Sequence, residues 1–183
     1  MVRALALTVL FAAMLAPVAC SNGSQAPNLT LQSDRSLAWQ LAAQRGKAVL
    51  LTFGFTHCAD TCPAIVARLA HAGVAIGRPG DVEIAFVTVD PARDTPAVLH
   101  RFLNRFAQPG LEIVGLTGTP RQLAAAQHAY HVWSAKLPVR KGGYDVSHSA
   151  AIFLIAPDGR LQGVLDDQDN ESAVVAALKK ALG

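Results

Sequence analysis

Ala48-Val-Leu-Leu-Thr-Phe-Gly-Phe55, followed at once by Thr56-His57-Cys58-Ala59-Asp60-Thr61-Cys62-Pro63, decides how the whole chain is read. The first piece is apolar on both faces, as a buried central strand must be. The second is a corner. Pro63 is tolerated only in a first helical turn, where its missing N–H would have had no intrahelical partner, and Asp60 is a candidate N-cap. From residue 64 to about 76, apolar residues such as Ile65 and Leu69 recur at helical spacing. Cys58 and Cys62 therefore straddle a strand-to-helix corner. A first-turn cysteine lies near unpaired N–H groups and the positive end of the helix dipole, which predicts a thiolate at Cys62.

Downstream, a strand over 82–89 ends at Asp90-Pro91, and Thr95-Pro96 opens a helix running to 106. Residues 111–116 form the next strand, and Thr119-Pro120 opens a helix to about 133. A polar, glycine-rich connection over 138–147 reads as an extended loop or a hairpin. Strands over 149–155 and 161–164 are joined by Pro157-Asp158-Gly159-Arg160, whose Asp-Gly is a hairpin signal. An amphipathic helix over about 170–182 closes the chain. The order βα, βα, βα, ββ, α predicts an α/β fold, a mixed central sheet flanked by helices. Upstream, 29–46 lacks an Asp-Gly turn, and its strands are left unplaced.

The start of the chain differs in kind. Arg3 precedes an apolar stretch over 4–16, then Pro17-Val18-Ala19-Cys20 and a polar run over 21–27. That stretch falls short of the roughly 20 residues a spanning helix needs, so a cleaved leader over 1–19 is expected. Cys20 resembles the lipidated first residue of a bacterial lipoprotein, although Pro17 stands where such signals usually carry Leu. The expected layout is leader, linker over 20–28 and one domain over 29–183, exported and held at the periplasmic side of a membrane by an N-terminal lipid. Within 183 residues, 51% hydrophobic and 16% charged, a single core is affordable and disorder is not indicated. A net charge of +3, without basic runs, excludes a nucleic-acid surface. Both methionines, Met1 and Met14, lie in the leader, so any soft-metal site in the domain rests on Cys58 and Cys62.

The order of elements, with paired cysteines after the first central strand, suggests the thioredoxin superfamily. Four segments carry the likeness further: Gly54-Phe-Thr-His-Cys58-Ala-Asp-Thr-Cys62-Pro63, Val87-Thr-Val-Asp90-Pro-Ala-Arg93-Asp94-Thr-Pro96, Gly115-Leu-Thr-Gly-Thr-Pro120 and Val146-Ser-His148-Ser-Ala-Ala-Ile-Phe-Leu-Ile155. In order, they resemble the Sco/SenC family over nearly the whole domain. The resemblance implies one copper per domain, held by Cys58, Cys62 and His148. It implies delivery to the binuclear copper site of a respiratory cytochrome c oxidase, whose copper-site subunit would be the partner. A periplasmic copper donor or thiol reductant would stand upstream. Phe55 and Ala59 depart from the family's usual Tyr and Pro, and neither change removes a ligand. The chemistry agrees: two thiolates suit Cu(I), and an added imidazole suits Cu(II). Mobility of 138–147 would move His148 relative to the cysteines.

Other readings of the same residues stay open. The cysteines could form a plain disulfide, natural in an oxidising compartment. They could serve a thiol-disulfide oxidoreductase acting on the cysteines of the oxidase copper site. A peroxide-reducing enzyme is disfavoured, because His57 rather than Thr precedes Cys58. If strand alternation persisted, His57 would point away from Cys58; it is placed beside the site rather than in it. Asp90, with Pro91 and the Arg93-Asp94 pair, forms a turn and a salt bridge near the corner and is a candidate neighbour of the site. His71, His100, His128 and His131 fall on predicted helices, away from it.

Overall fold

The computed structural model describes residues 23–139 and 142–183; the expected leader and Cys20 lie outside the described residues. The continuous apolar run forms β3 (Ala48–Gly54), with all seven residues buried, parallel to an equally buried β4 (Val82–Thr88). Beyond β4 lies β5 (Glu112–Thr117), also parallel, and then the antiparallel β1 (Thr30–Ser33) and β2 (Ala38–Gln40). On the other side of β3 come β8 (Ile152–Ile155) and β9 (Leu161–Leu165), both antiparallel. The sheet order is therefore β2-β1-β5-β4-β3-β8-β9.

Because β3 and β4 sit mid-sheet, both of their faces need cover. On one face, α1 (Thr61–Ala75) and α4 (Glu171–Leu182) lay Ile65, Leu69, Val174 and Leu178 over Leu50 and Ile84. On the other, α2 (Pro96–Leu103) and α3 (Pro120–Ala129) lay Leu99, Phe102, Leu123 and Ala126 over Leu51, Phe53 and Phe86. Full burial of each large side chain contributes about 1.5–3 kcal/mol relative to exposure, so these two layers dominate the stability. The result is the expected α/β thioredoxin-like architecture.

Local chemistry sets the helix ends. Thr95 and Thr119 each accept a backbone N–H through their side chains, with Pro96 and Pro120 next in line. Asp60 occupies the N-cap of α1 but makes no side-chain cap bond. The helix opened by Thr95 stops at Leu103, and a 3-10 turn over Asn104–Phe106 completes the expected span. The helix expected to reach 133 ends at Ala129, because His131 adopts a positive φ of 53° that no helix can continue. After a turn over 130–133 comes β6 (Ser134–Pro138), paired with β7 (Tyr144–His148) as a separate two-stranded sheet. The glycine-rich connection is thus a hairpin, and His148 ends β7 rather than opening β8. Upstream, the β1–β2 turn runs through Ser36 at φ 60°. From residue 23 the segment expected as linker lies along the β8–β9 turn: Ala26 N donates to Gly159 O at 3.0 Å.

Candidate metal centre

At the top of β3 the chain must turn while β4 stays alongside, and Val89 N donates to Gly54 O at 2.8 Å to hold that edge. Gly54 is required here. A Cβ at this position would lie 2.7 Å from the Phe86 ring and 3.0 Å from Cys62 Sγ. The corner then presents Cys58 half-exposed and Cys62 buried, and the Cys62 N–H, one of the orphan donors of a helix start, points at Cys58 Sγ at 3.3 Å.

Burial decides the state of Cys62. Desolvation, the largest effect, pushes its thiol from 9.0 up to about 12. The expected thiolate at the helix start is therefore corrected: with Cys62 only 2% exposed, loss of water outweighs the dipole.

His148, at the end of β7, brings its Nε2 to 3.6 Å from Cys62 Sγ. Its Nδ1 lies 2.8 Å from Ser149 O. A carbonyl only accepts, so Nδ1 carries the proton and Nε2 faces the sulfur with a free lone pair. Phe55 packs edge-on against the imidazole at 5.8 Å between centroids. Phe55, His57, Cys58, Asp60, Asp145 and His148 line a cavity of about 450 Å³ that opens over this group. Two sulfurs and a bare imidazole nitrogen are a donor set suited to copper. As they stand, no three His, Cys, Asp or Glu side chains among the described residues are gathered tightly enough to hold an ion. Closing a three-donor site requires these side chains to draw together.

The other named residues fall as follows. His57 borders the same cavity as Cys58, because the strand ends at Gly54 and its alternation does not continue through the turn. Asp90 is fully buried and serves the hairpin. It accepts from Tyr144 Oη at 2.7 Å, pairs with Arg93 and has Lys136 Nζ at 3.8 Å. Arg93 in turn donates to Tyr144 O at 3.0 Å and lies over the rings of Tyr144 and Phe55. The turn at Asp90 is thus the anchor of the strand that carries His148, and Arg93 pairs with Asp90 rather than with the expected Asp94. His71 and His100 are engaged elsewhere, with Glu171 and Asp34, and neither they nor His128 and His131 line the cavity.

Sequence reasoning named Asp94 near the corner only as half of a salt bridge with Arg93 and missed its actual role. Completely buried, it accepts from Thr56 N at 3.1 Å, from Thr56 Oγ1 at 2.6 Å and from Thr88 Oγ1 at 2.6 Å. It fastens the Cys58 loop to the end of β4. The available signal was the pair of threonines, Thr56 and Thr88, placed to donate at the ends of two adjacent strands.

A family model described as SCO1/SenC matches residues 26–183. The chain belongs to the SCO1/SenC family. The mitochondrial SCO2 homolog of Bos taurus is 40% identical over 119 residues, covering 63% of this chain and 44% of that protein. This chain spans about half the length, or less, of such curated Sco relatives. Among solved Sco structures, Bradyrhizobium japonicum ScoI with copper bound is 31% identical, with a TM-score of 0.77 over 87% of this chain and 100% of that one. Arabidopsis thaliana ScoI with copper bound is 28% identical, with a TM-score of 0.79 over 87% and 98%.

Proposed function

We propose that this Sco chain is a copper metallochaperone that carries one copper on Cys58, Cys62 and His148. Its recipient is the copper-site subunit of a respiratory cytochrome c oxidase. The observation that carries this reading is the 3.6 Å approach of a bare imidazole nitrogen to a buried cysteine sulfur beside a second, more exposed cysteine. Copper in the two Sco structures above supports the choice of metal.

In this reading the chain's own residues do four things. Cys58 completes the donor set. Cys62 gives up its proton as metal arrives, because a ligand must be a thiolate. Ser149 O keeps His148 in the tautomer that presents Nε2, and the Asp90–Tyr144–Arg93 anchor holds β7 in reach. A periplasmic copper donor loads the site, and the protein sits outside the cytoplasm on a lipid at Cys20.

Thiol-disulfide exchange on the oxidase cysteines is the second reading. It is favoured by the pairing of an accessible Cys58 with a buried Cys62, the arrangement in which one thiol attacks and the other resolves. Copper titration of the reduced chain beside Cys58→Ala, Cys62→Ala and His148→Ala separates the two. One copper held tightly by the parent and weakened in all three variants supports the chaperone. Negligible copper binding, with thiol exchange surviving His148→Ala, transfers the assignment to the reductase.

A further inference from the structure

The proton inventory around Thr56 determines the state of a histidine that the site above does not use. Thr56 Oγ1 has one proton, and it lies 2.6 Å from Asp94 Oδ1, which as a carboxylate oxygen only accepts. That proton is committed. Thr88 Oγ1 likewise accepts from Asp90 N at 2.9 Å and directs its own proton to Asp94 at 2.6 Å. Asp94 is therefore satisfied entirely by donors, and Thr56 Oγ1 has only lone pairs left to offer. His57 Nδ1 lies 3.2 Å from that oxygen. The contact is a hydrogen bond only if Nδ1 donates, with Asp94 Oδ1 a further 4.0 Å contact of the same nitrogen, so in the neutral ring Nε2 is the nitrogen without a proton. The imidazole is half-exposed, at 52%, and borders the cavity shared with Cys58 and His148.

Both imidazoles bordering the cavity thus commit Nδ1 as a donor, one to a backbone carbonyl and one to Thr56 Oγ1 in front of Asp94, which leaves Nε2 as the nitrogen that can take a metal. A fixed tautomer is what a metal-binding histidine needs, and an outer oxygen acceptor on the other nitrogen is the usual way to fix it. We propose that His57 is an exchange ligand for copper, and Asp94 and Thr56 its positioning residues. Its Nε2 takes the metal at the cavity mouth as Cys58 releases it, and gives it up to the incoming donor. This proposal rests on the copper-carrying reading. No change of oxidation state is involved: one Cu–S bond yields to one Cu–N bond, and the reverse on loading. Imidazole is a competent copper ligand but a less soft one than thiolate, which suits a ligand that must let go of Cu(I).

The test is stopped-flow transfer of Cu(I) from the full reduced chain to bicinchoninate, for the parent, His57→Ala, His57→Gln and Thr56→Val. The His57 variants are expected to slow transfer about tenfold, the scale on which groups around a metal act, while lowering equilibrium affinity far less than His148→Ala does. Thr56→Val keeps the imidazole but frees its tautomer, and is expected to slow transfer by less. Imidazole ¹⁵N spectra of the copper-free chain read the tautomer directly, with an unprotonated Nε2 at His57 in the parent and a mixture in Thr56→Val. Unchanged transfer rates in both His57 variants, or a protonated Nε2 in the parent, overturn the exchange role while leaving the copper site standing. An affinity loss as large as that of His148→Ala makes His57 a resident ligand and also overturns it. A parent that binds no Cu(I) removes the underlying reading instead.

Discussion

His148 Nε2 stands 3.6 Å from Cys62 Sγ across 86 positions of sequence, and the contact joins the separate β6–β7 hairpin to the first turn of α1. If this pair is part of the copper site, His148→Ala lowers copper affinity by about a hundredfold or more, since even outer partners of metal ligands are worth 10–100-fold. Competition titration with a Cu(I) chelator measures it, and Cu(II) binding, which relies more on nitrogen, is expected to suffer most. Parent-like affinity in the variant removes His148 from the donor set.

Proton release follows from the burial of Cys62. Its thiol is pushed up to about 12, so it is protonated at neutral pH and must lose that proton on binding metal. Copper affinity is expected to rise about tenfold per pH unit for each proton displaced near neutrality. The sign for stability is opposite. A folded-state value above the ordinary 9.0 means that the folded, reduced chain keeps its proton where the unfolded chain has lost it. Stability without metal therefore falls as pH rises between about 9 and 12, and Cys62→Ala makes that slope shallower in denaturant melts, leaving the part that comes from the buried Tyr130, whose value is also raised.

Tyr144→Phe tests the hairpin anchor. It removes the 2.7 Å bond to a carboxylate with no exposure and leaves Lys136 and Arg93 to satisfy Asp90. The expected cost is about 1–3 kcal/mol, concentrated in β6 and β7. Hydrogen exchange should speed at the Asp145 and Ser147 amides, which face β6 in the ladder, and not in β3. Uniform protection loss across the fold would show that Asp90 supports the core instead.

Glu83 is a buried carboxylate whose pKa burial raises above 4.5, with Trp39 Nε1 donating to it at 2.7 Å and Lys47 at 3.8 Å. Because the folded value is raised, ionisation costs folding free energy, and this cost grows as pH climbs past the ordinary carboxylate range. Glu83→Gln keeps an acceptor for Trp39 and removes the charge. Urea melts at pH about 4 and about 7 should show the variant gaining on the parent at the higher pH. An equal difference at both pH values would mean that Glu83 has the same pKa folded and unfolded, its burial fully offset by Trp39 and Lys47.

Gly54→Ala probes the corner. The added methyl meets the Phe86 ring at 2.7 Å and Cys62 Sγ at 3.0 Å. Overpacking of this kind costs about 1–3 kcal/mol and displaces Cys62 from His148. Lower thermal stability together with weaker copper binding is expected. A stability loss with parent-like copper affinity would place the strain on Phe86 alone.

Where composition is one-sided, the fold was legible. β3 is apolar throughout, and Thr95-Pro96 and Thr119-Pro120 combine a cap with a residue tolerated only at a helix start. Legibility failed where a tertiary contact or a single dihedral decides. Nothing in Ser36 announces a hairpin, and nothing in His131 announces that α3 stops two residues earlier. The two cysteines and His148 were readable as a pattern; the protonation of Cys62 was not, because burial is a property of the packed fold. Asp94 shows the same limit. Beside Arg93 it reads as half of a surface pair, yet it is sealed beneath Thr56 and Thr88.

The sheet order has a consequence for how the molecule is made. Cys58 and Cys62 follow β3, but the strand that completes the other side of β3 is β8, which begins four residues after His148. During synthesis the chain therefore carries both thiols long before it carries the imidazole, and the imidazole arrives just before that strand. A ribosome-bound fragment ending before residue 148 is a dithiol with an open sheet. All three candidate donors are in the chain by residue 148, before β8 and α4 have been added to the core.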